Sequence, residues 1–398
     1  MIVRRPLALA LLASLYLAGP AQGDQRKQQP FEMVRSLQFL QENITLGSQA
    51  SQAAQQKFLI QMTESFLAAD MQTWRDRKNF SAAIIHALSG GDPAVLRGLI
   101  KQGAIASEDL PLAEGTLAYA EGRSKDAAGL LLSVDTRVLD TALGGYVALT
   151  QSALVADVDP KRAGQLLDLA RLLMPGTLVE EASLRREVTA VVQDGDIEKF
   201  ERLARHQLTR FRQSLYATAF RNQFTEALIK LDYSLKSGRL RMIAEILEAL
   251  PPTDRRELYL LIAQRALLAG KTEMARFAAD RAAELAMTAG ASENIRADLY
   301  AAASLIVTDD FDAALQKLKA IDTTKLTPED SQLLGNALAL ATRLREWPQP
   351  SPFPDIERED RAVRAKEMEN EAKSIAALTE RVKEAIARTD EFLKRQTQ

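Results

Sequence analysis

Side chains able to do chemistry are scarce in this chain of 398 residues, which holds no cysteine and two histidines, His86 and His206. Disulfide frameworks, thiolate zinc sites and cysteine nucleophiles are excluded, and His-based catalytic or metal constellations lack raw material. His86 lies in the apolar run Ala83-Ile84-Ile85-His86-Ala87-Leu88, where a packed, hydrogen-bonded imidazole is expected rather than a ligand. His206 lies among Arg202, Arg205 and Arg210, a poor place for another cation. The glycines of Leu88-Ser89-Gly90-Gly91-Asp92-Pro93 lack the preceding strand and the following Lys-Ser/Thr of a phosphate loop. A helix junction explains them better: glycine stops one helix, Asp92 caps the next, and Pro93 takes its first position.

Glu64-Ser65-Phe66 is similar to the start of the Glu-Ser-x-Phe signature of lytic transglycosylases, whose glutamate is a general acid in a sugar cleft. Phe66 comes one residue early for that signature, and no later lysozyme-like aromatic and Gly-rich motifs follow. Leu59, Met62, Phe66 and Leu67 instead make one helix face beside Glu64, so packing is the expected role. No catalytic residue, cofactor or metal is expected anywhere in the chain. One charge cluster stands out: six basic residues against two acidic ones between Glu198 and Arg221, with Arg239, Arg241, Arg255 and Arg256 downstream. Like charges held together carry a repulsion that an acidic partner relieves. Arg202, Arg205, Arg210 and Arg212 are therefore the candidate partner-binding residues, against the plainer reading of a solvated helix face.

The elements that must position these residues read as helices. Lys+Arg 51 against Asp+Glu 53 gives a net charge of −2, with 46% hydrophobic residues. That suits a globular chain with ample core and gives no support for nucleic-acid binding. Arg4 and Arg5, the apolar run Leu7 to Leu17 and the small-residue site Ala21-Gln22-Gly23 read as an export signal over 1–23. The run from Pro6 to Leu17 would span only about 18 Å as a helix, too short to anchor in roughly 30 Å of hydrocarbon. No membrane span is expected after its removal.

Strand signals are few and helical periodicity is everywhere. Residues 24–90 read as an N-terminal helical cap, with helices over Phe31–Gln41, Ser51–Asp70 and Asn79–Ser89. Turn signals then recur at Gly91, Gly122, Asp159, Gly195, Gly238, Gly270 and Asp310, at spacings of 31 to 43 residues. At five and eight residues past each signal the chain is apolar with one exception, Gly164, so a helix starting just after each turn buries both positions. In one such pair, Leu258, Leu261, Ile262, Arg265 and Leu268 fall on one helix face, apolar with one interruption, followed after a turn by Met274, Phe277, Ala278, Arg281, Ala282 and Leu285. The expected fold is all-α: an irregular α-solenoid of helical hairpins over 91–346, tetratricopeptide-like in period but without that consensus's Trp and Tyr. A proline-rich linker, 347–354, follows. Residues 355–398 hold 21 charged residues of 44 and read as a charged amphipathic or coiled-coil-like helix able to self-associate.

Two stretches are distinctive: Pro30 to Gln41 (PFEMVRSLQFLQ), and Trp74 to Gly91 (WRDRKNFSAAIIHALSGG) running into Asp92-Pro93. With the leader and the helical body, they resemble the MotC family of rhizobial motility proteins across essentially the whole chain. The resemblance implies a periplasmic protein that supports flagellar rotation and chemotaxis by acting on the periplasmic part of the stator protein MotB. It brings no cofactor and no enzymatic residues. Two other readings stay open at this level: a peptidoglycan-processing enzyme or accessory, and a general envelope-assembly adaptor of tetratricopeptide type.

Overall fold

The computed structural model describes residues 28–231, 238–288, 294–308 and 310–345, with four further helical positions at Lys366, Met368, Asn370 and Lys373. The expected leader 1–23, the linker 347–354 and, those four positions apart, the tail 355–398 lie outside the described residues. Every regular element among the described residues is helical, with 17 α-helices joined by turns and short 3-10 segments. By packing, the chain divides into two compact units, 1–304 and 305–398.

The first unit opens with α1 (Pro30–Thr45), α2 (Gln49–Leu67) and α3 (Arg77–Leu88), the three helices expected of the N-terminal segment. Then come α4 (Ala94–Lys101), α5 (Leu110–Ala120), α6 (Ser124–Leu131), α7 (Thr141–Val155) and α8 (Pro160–Leu173). These are followed by α9 (Leu178–Asp194), α10 (Ile197–Arg210), α11 (Ala217–Lys230) and α12 (Arg239–Leu247). α13 (Pro252–Leu268), α14 (Thr272–Thr288) and α15 (Ile295–Leu305) complete the series. Asp side chains stop the backbone at many of these starts: Asp76, Asp140, Asp159 and Asp196 each accept a backbone N–H from the first turn of the helix that follows.

The turn signals mark helix starts. α4, α6, α8, α10, α12 and α14 each begin one to three residues after their expected turn. Of the positions five and eight residues past each turn, all are buried except Gly164 and Leu130, which are partly exposed. Pro93 sits one place ahead of its expected position, just outside α4, while Asp92 Oδ1 accepts the Ala94 N–H at 2.7 Å. Consecutive helices pack on one another, most extensively α13 on α14, α7 on α8, α5 on α6, α1 on α2 and α8 on α9. In the first of these, the buried face of α13 is turned from the apolar face read in the sequence. Tyr259, Leu260, Ala263 and Ala266 join Leu258 and Ile262 inside, and Leu268 is exposed. The reason is that α13 also packs on α11 and so needs two apolar faces, which a single helical stripe does not describe. The facing side of α14 is lined by Ala275, Ala278, Ala279, Ala282 and Ala286, small enough for close backbone approach.

Contacts also join helices far apart in sequence. Tyr146 of α7 donates its phenol O–H to Gln41 Oε1 of α1 at 2.5 Å, and burial pushes its pKa up to about 12. α1 also touches α9, and the Leu215 N–H reaches the Ile44 carbonyl at 3.3 Å. His86 is fully buried in this core. Its ring packs on Phe66 at 5.1 Å between centroids, Nε2 lies 3.1 Å from Thr63 Oγ1, and the Gly91 backbone closes over it. Burial lowers its pKa, outweighing the Leu59 carbonyl and the Asp92 charge, which act in the opposite direction.

The second unit contains α16 (Phe311–Lys319) packed on α17 (Pro328–Arg345). α16 starts one residue after Asp310, as expected, and its Ala314, Leu315 and Leu318 are buried. Thr327 Oγ1 receives the Asp330 N–H at 3.2 Å and donates to that carboxylate, so the two residues cap the start of α17.

A Cβ at Gly91 would come within 2.2 Å of the His86 ring, so Gly91→Ala is expected to destabilise by about 2 kcal/mol through overpacking. In the pair His86→Ala/Gly91→Ala the two costs are less than additive, measurable as a double-mutant cycle in urea. Additive costs refute the contact. Because the folded pKa of His86 is depressed, its contribution is present above the unfolded value near 6.5 and lost as pH falls through the folded one. Between pH 7.5 and 5.5 the native chain should therefore lose more stability than His86→Gln, by at most about 1.4 kcal/mol per pH unit. Equal losses would show that His86 is not shielded from protons.

Candidate partner-binding surface and buried charge network

The four arginines expected at a partner surface come from one helix and the turn after it, and the structure gives them different settings. All four are exposed. Arg210 is tied inward, its Nε lying 3.2 Å from Glu180 Oε2. Arg212 Nη1 stands 4.0 Å from Asp254, a carboxylate that Arg221 also approaches at 3.8 Å. Arg205 donates from Nη1 to the Glu245 carbonyl of α12 at 3.2 Å. Arg202 forms no ion pair with a described residue. Arg210 leads to a feature that sequence reasoning missed, a row of buried carboxylates on α9.

Glu180, Glu181 and Glu187 are all buried, interleaved with Val179, Leu184, Val188 and Val191 on the same helix. Glu187 is 0% exposed, and two cations reach it: Lys199 Nζ of α10 at 2.6 Å and Arg171 Nε of α8 at 3.1 Å. Asp168, one turn before Arg171, pairs with both of these cations, at 2.8 Å from Lys199. Glu181 pairs with Arg185 at 3.3 Å and accepts from Gln207 Nε2 at 3.0 Å. Arg185 in turn lies over the Tyr216 ring at 4.8 Å. Glu180 accepts the Gly176 N–H at 2.5 Å and faces His206 Nε2 at 3.1 Å. His206 thus meets a carboxylate rather than the arginines that surround it in sequence.

Desolvation sets the electrostatics. It raises the pKa values of Glu181 and Glu187 above the ordinary carboxylate range, with Arg185, Arg171 and Lys199 opposing it. Asp168 is pushed up by burial too, but Lys199 and Arg171 more than offset this and hold it below its usual value. Burial lowers the Lys199 ammonium, and its two carboxylates overcome that and raise it. The available signal in the sequence was the spacing Glu180, Leu184, Glu187, Val191, a core stripe in which every other member is acidic.

Glu64 lies elsewhere, on the exposed side of α2. It borders an open groove of about 870 Å³ that Asp92, Thr63 and Tyr119 also line. Its Asp92 carboxylate is engaged in capping α4. Among the described residues, no group of three or more His, Asp or Glu side chains is placed to hold a metal ion. Nor is any described helix long and apolar enough to cross a membrane.

The family described as Chemotaxis protein MotC matches residues 2–398. The chain belongs to this family. Chemotaxis protein MotC of Rhizobium meliloti (strain 1021) is 32% identical over 356 residues, covering 88% of this chain and 81% of that relative. Both the arginines around α10 and the carboxylates of α9 fall within the span that the MotC family matches.

Removing one partner from a buried ion pair leaves the other charge uncompensated. Lys199→Met is expected to cost about 3 kcal/mol, with Glu187 left to Arg171 alone. Glu187→Leu/Lys199→Met recovers most of that loss, read as urea midpoints. A double variant as unstable as the single one would mean that the pair is not what Lys199 supplies.

Proposed function

We propose that this MotC-family chain is a non-enzymatic periplasmic protein that supports flagellar rotation and chemotaxis by binding the periplasmic part of the stator protein MotB. The observation that carries the reading is family membership over nearly the full length, residues 2–398. The sequence pattern of an export signal over 1–23 supports action in the periplasm. An irregular solenoid of hairpins, running from a cap over 24–90 through 91–346, supplies extended outer faces for a protein segment. The tail 355–398 is assigned a second role, self-association.

The chemistry of the side chains is consistent with binding rather than turnover. The buried acids of α9 are each matched by cations or amides of the same chain, which makes them structural charges. Outside, Arg202 and Arg205 remain at the surface of α10, with Arg210 and Arg212 alongside and already ion-paired. These four form the proposed cationic contact, steering an acidic MotB segment toward the chain. A partner that prefers one state of the stator shifts its equilibrium by the difference in affinity, and no bond need be made or broken.

Arg202→Glu/Arg205→Glu should weaken capture of the periplasmic MotB fragment about tenfold at low salt, with the gap closing as salt screens the charges. Isothermal titration against sodium chloride concentration measures both. A deletion strain is expected to swim poorly and to be restored by the native gene. Normal swimming of the deletion strain refutes the motor role.

A further inference from the structure

A cleft that no residue of α10 lines carries a more specific recognition chemistry. It is walled by α1 and α3 and closed by the turn leading into α7, with a volume of about 620 Å³. Phe31, Val34, Arg35 and Gln38 line it from α1 at the i, i+3, i+4, i+7 spacing of one helix face. Phe80, Ile85, Leu112 and Leu143 extend an apolar floor from α3, α5 and α7. At the lip stands Val138, 77% exposed, an aliphatic side chain with little of its surface covered.

Charge on the rim is divided unequally in what it leaves available. Three acids border the cleft, and each has an internal bond. Asp76 Oδ1 accepts the Lys78 N–H at 2.9 Å, Asp109 faces Arg77 at 3.7 Å, and Asp140 accepts from Leu143 N–H at 3.0 Å and Ser81 Oγ at 2.9 Å. The cations Arg35 and Lys78 are held differently. Both lie over the Phe31 ring, at 5.4 and 5.7 Å from its centroid, and neither pairs with a described carboxylate. An aromatic face holding two exposed cations beside an apolar floor fixes where a carboxylate must sit relative to apolar side chains.

We infer that this cleft binds an acidic amphipathic helix of the protein partner, with apolar side chains on the floor and against Val138 and carboxylates on Arg35 and Lys78. A helical segment fits better than a small anion. It covers the Val138 lip as well as the floor, and it supplies apolar side chains at the three- and four-residue spacing that α1 presents. The inference rests on the stator-binding reading for the partner's identity, and adds a docking site separate from the arginines of α10.

The test is titration of the full-length exported chain with the purified periplasmic fragment of MotB. Arg35→Glu/Lys78→Glu and Val138→Asp should each weaken binding at least tenfold, while Lys57→Glu/Lys125→Glu, two exposed lysines outside the cleft, leaves it unchanged. Circular dichroism and urea midpoints confirm that the variants fold. If the native chain binds and the cleft variants bind equally well, the cleft is overturned and the stator reading stands. If the native chain does not bind the fragment, both are overturned. Oleate is the control for a lipid occupant: stabilisation by oleate that only the cleft variants lose, with fragment binding unaltered, overturns the helix in favour of a fatty-acid site.

Discussion

Neutralising three buried carboxylates on α9 is the constraint on which the rest of the first unit depends. An ionised carboxylate placed in a protein interior costs several kcal/mol unless cations and hydrogen-bond donors meet it. Here they come from both neighbouring helices, Arg171 from α8 and Lys199 and Gln207 from α10. α9 also touches α1, α7 and α11, so its position is transmitted to helices distant in sequence. Sliding α10 by one turn would move Lys199 about 5.4 Å along the helix axis and strip Glu187 of one of its two cations. An apolar seam would tolerate such a slip more easily than an ion-paired one. The charges thus specify register where hydrophobic burial alone supplies only adhesion.

The same pairing decides what the surface can offer. A run of six basic residues reads as a single cationic face, yet Lys199 is drawn into the interior and Arg210, Arg212 and Arg221 point at Glu180 or Asp254. Clustering along the chain is therefore a poor measure of charge available to a partner. A side chain that must first leave an internal carboxylate contributes less to binding than its formal charge suggests. Arg35 and Lys78 illustrate the converse. They are separated by more than forty residues and inconspicuous in sequence, but Phe31 gathers them at one edge of an apolar cleft.

What was legible in the sequence follows from how local each signal is. Helix starts depend on a few adjacent residues, the glycine or aspartate that ends or caps and the apolar positions just beyond, and those signals placed the first residues of the even-numbered helices from α4 to α16 closely. The buried sides of those short helices, such as Leu96 and Leu99 in α4 or Ile243 and Ile246 in α12, followed from the same spacing. Packing on two sides was not visible. α13 packs on both α14 and α11, and Tyr259 and Ala263 are buried while Leu268 is exposed. The acids of α9 escaped notice for a related reason: a glutamate at a core position looks like a solvated one until its cations arrive from other helices. His86 was anticipated as a packed residue, because an apolar run on both sides is local information too.

In the recognition proposed above, two kinds of contact would divide the work. Exposed arginines such as Arg202 act over a Debye length of about 8 Å in physiological salt, which favours encounter but holds a partner weakly. The cleft between α1 and α3 acts only at contact, through apolar area removed from water and through cations already positioned on Phe31. A partner bearing acids alone would be attracted and released, and one bearing apolar side chains alone would leave the exposed charge of Arg35 and Lys78 poorly solvated beneath it. Only a segment that combines both, at helical spacing, satisfies the floor and the rim together. Selectivity of this kind needs no reactive centre. It needs a framework rigid enough to keep Phe31, Arg35 and Lys78 in place, and the Tyr146 bond that ties α7 to Gln41 of α1 provides part of that rigidity.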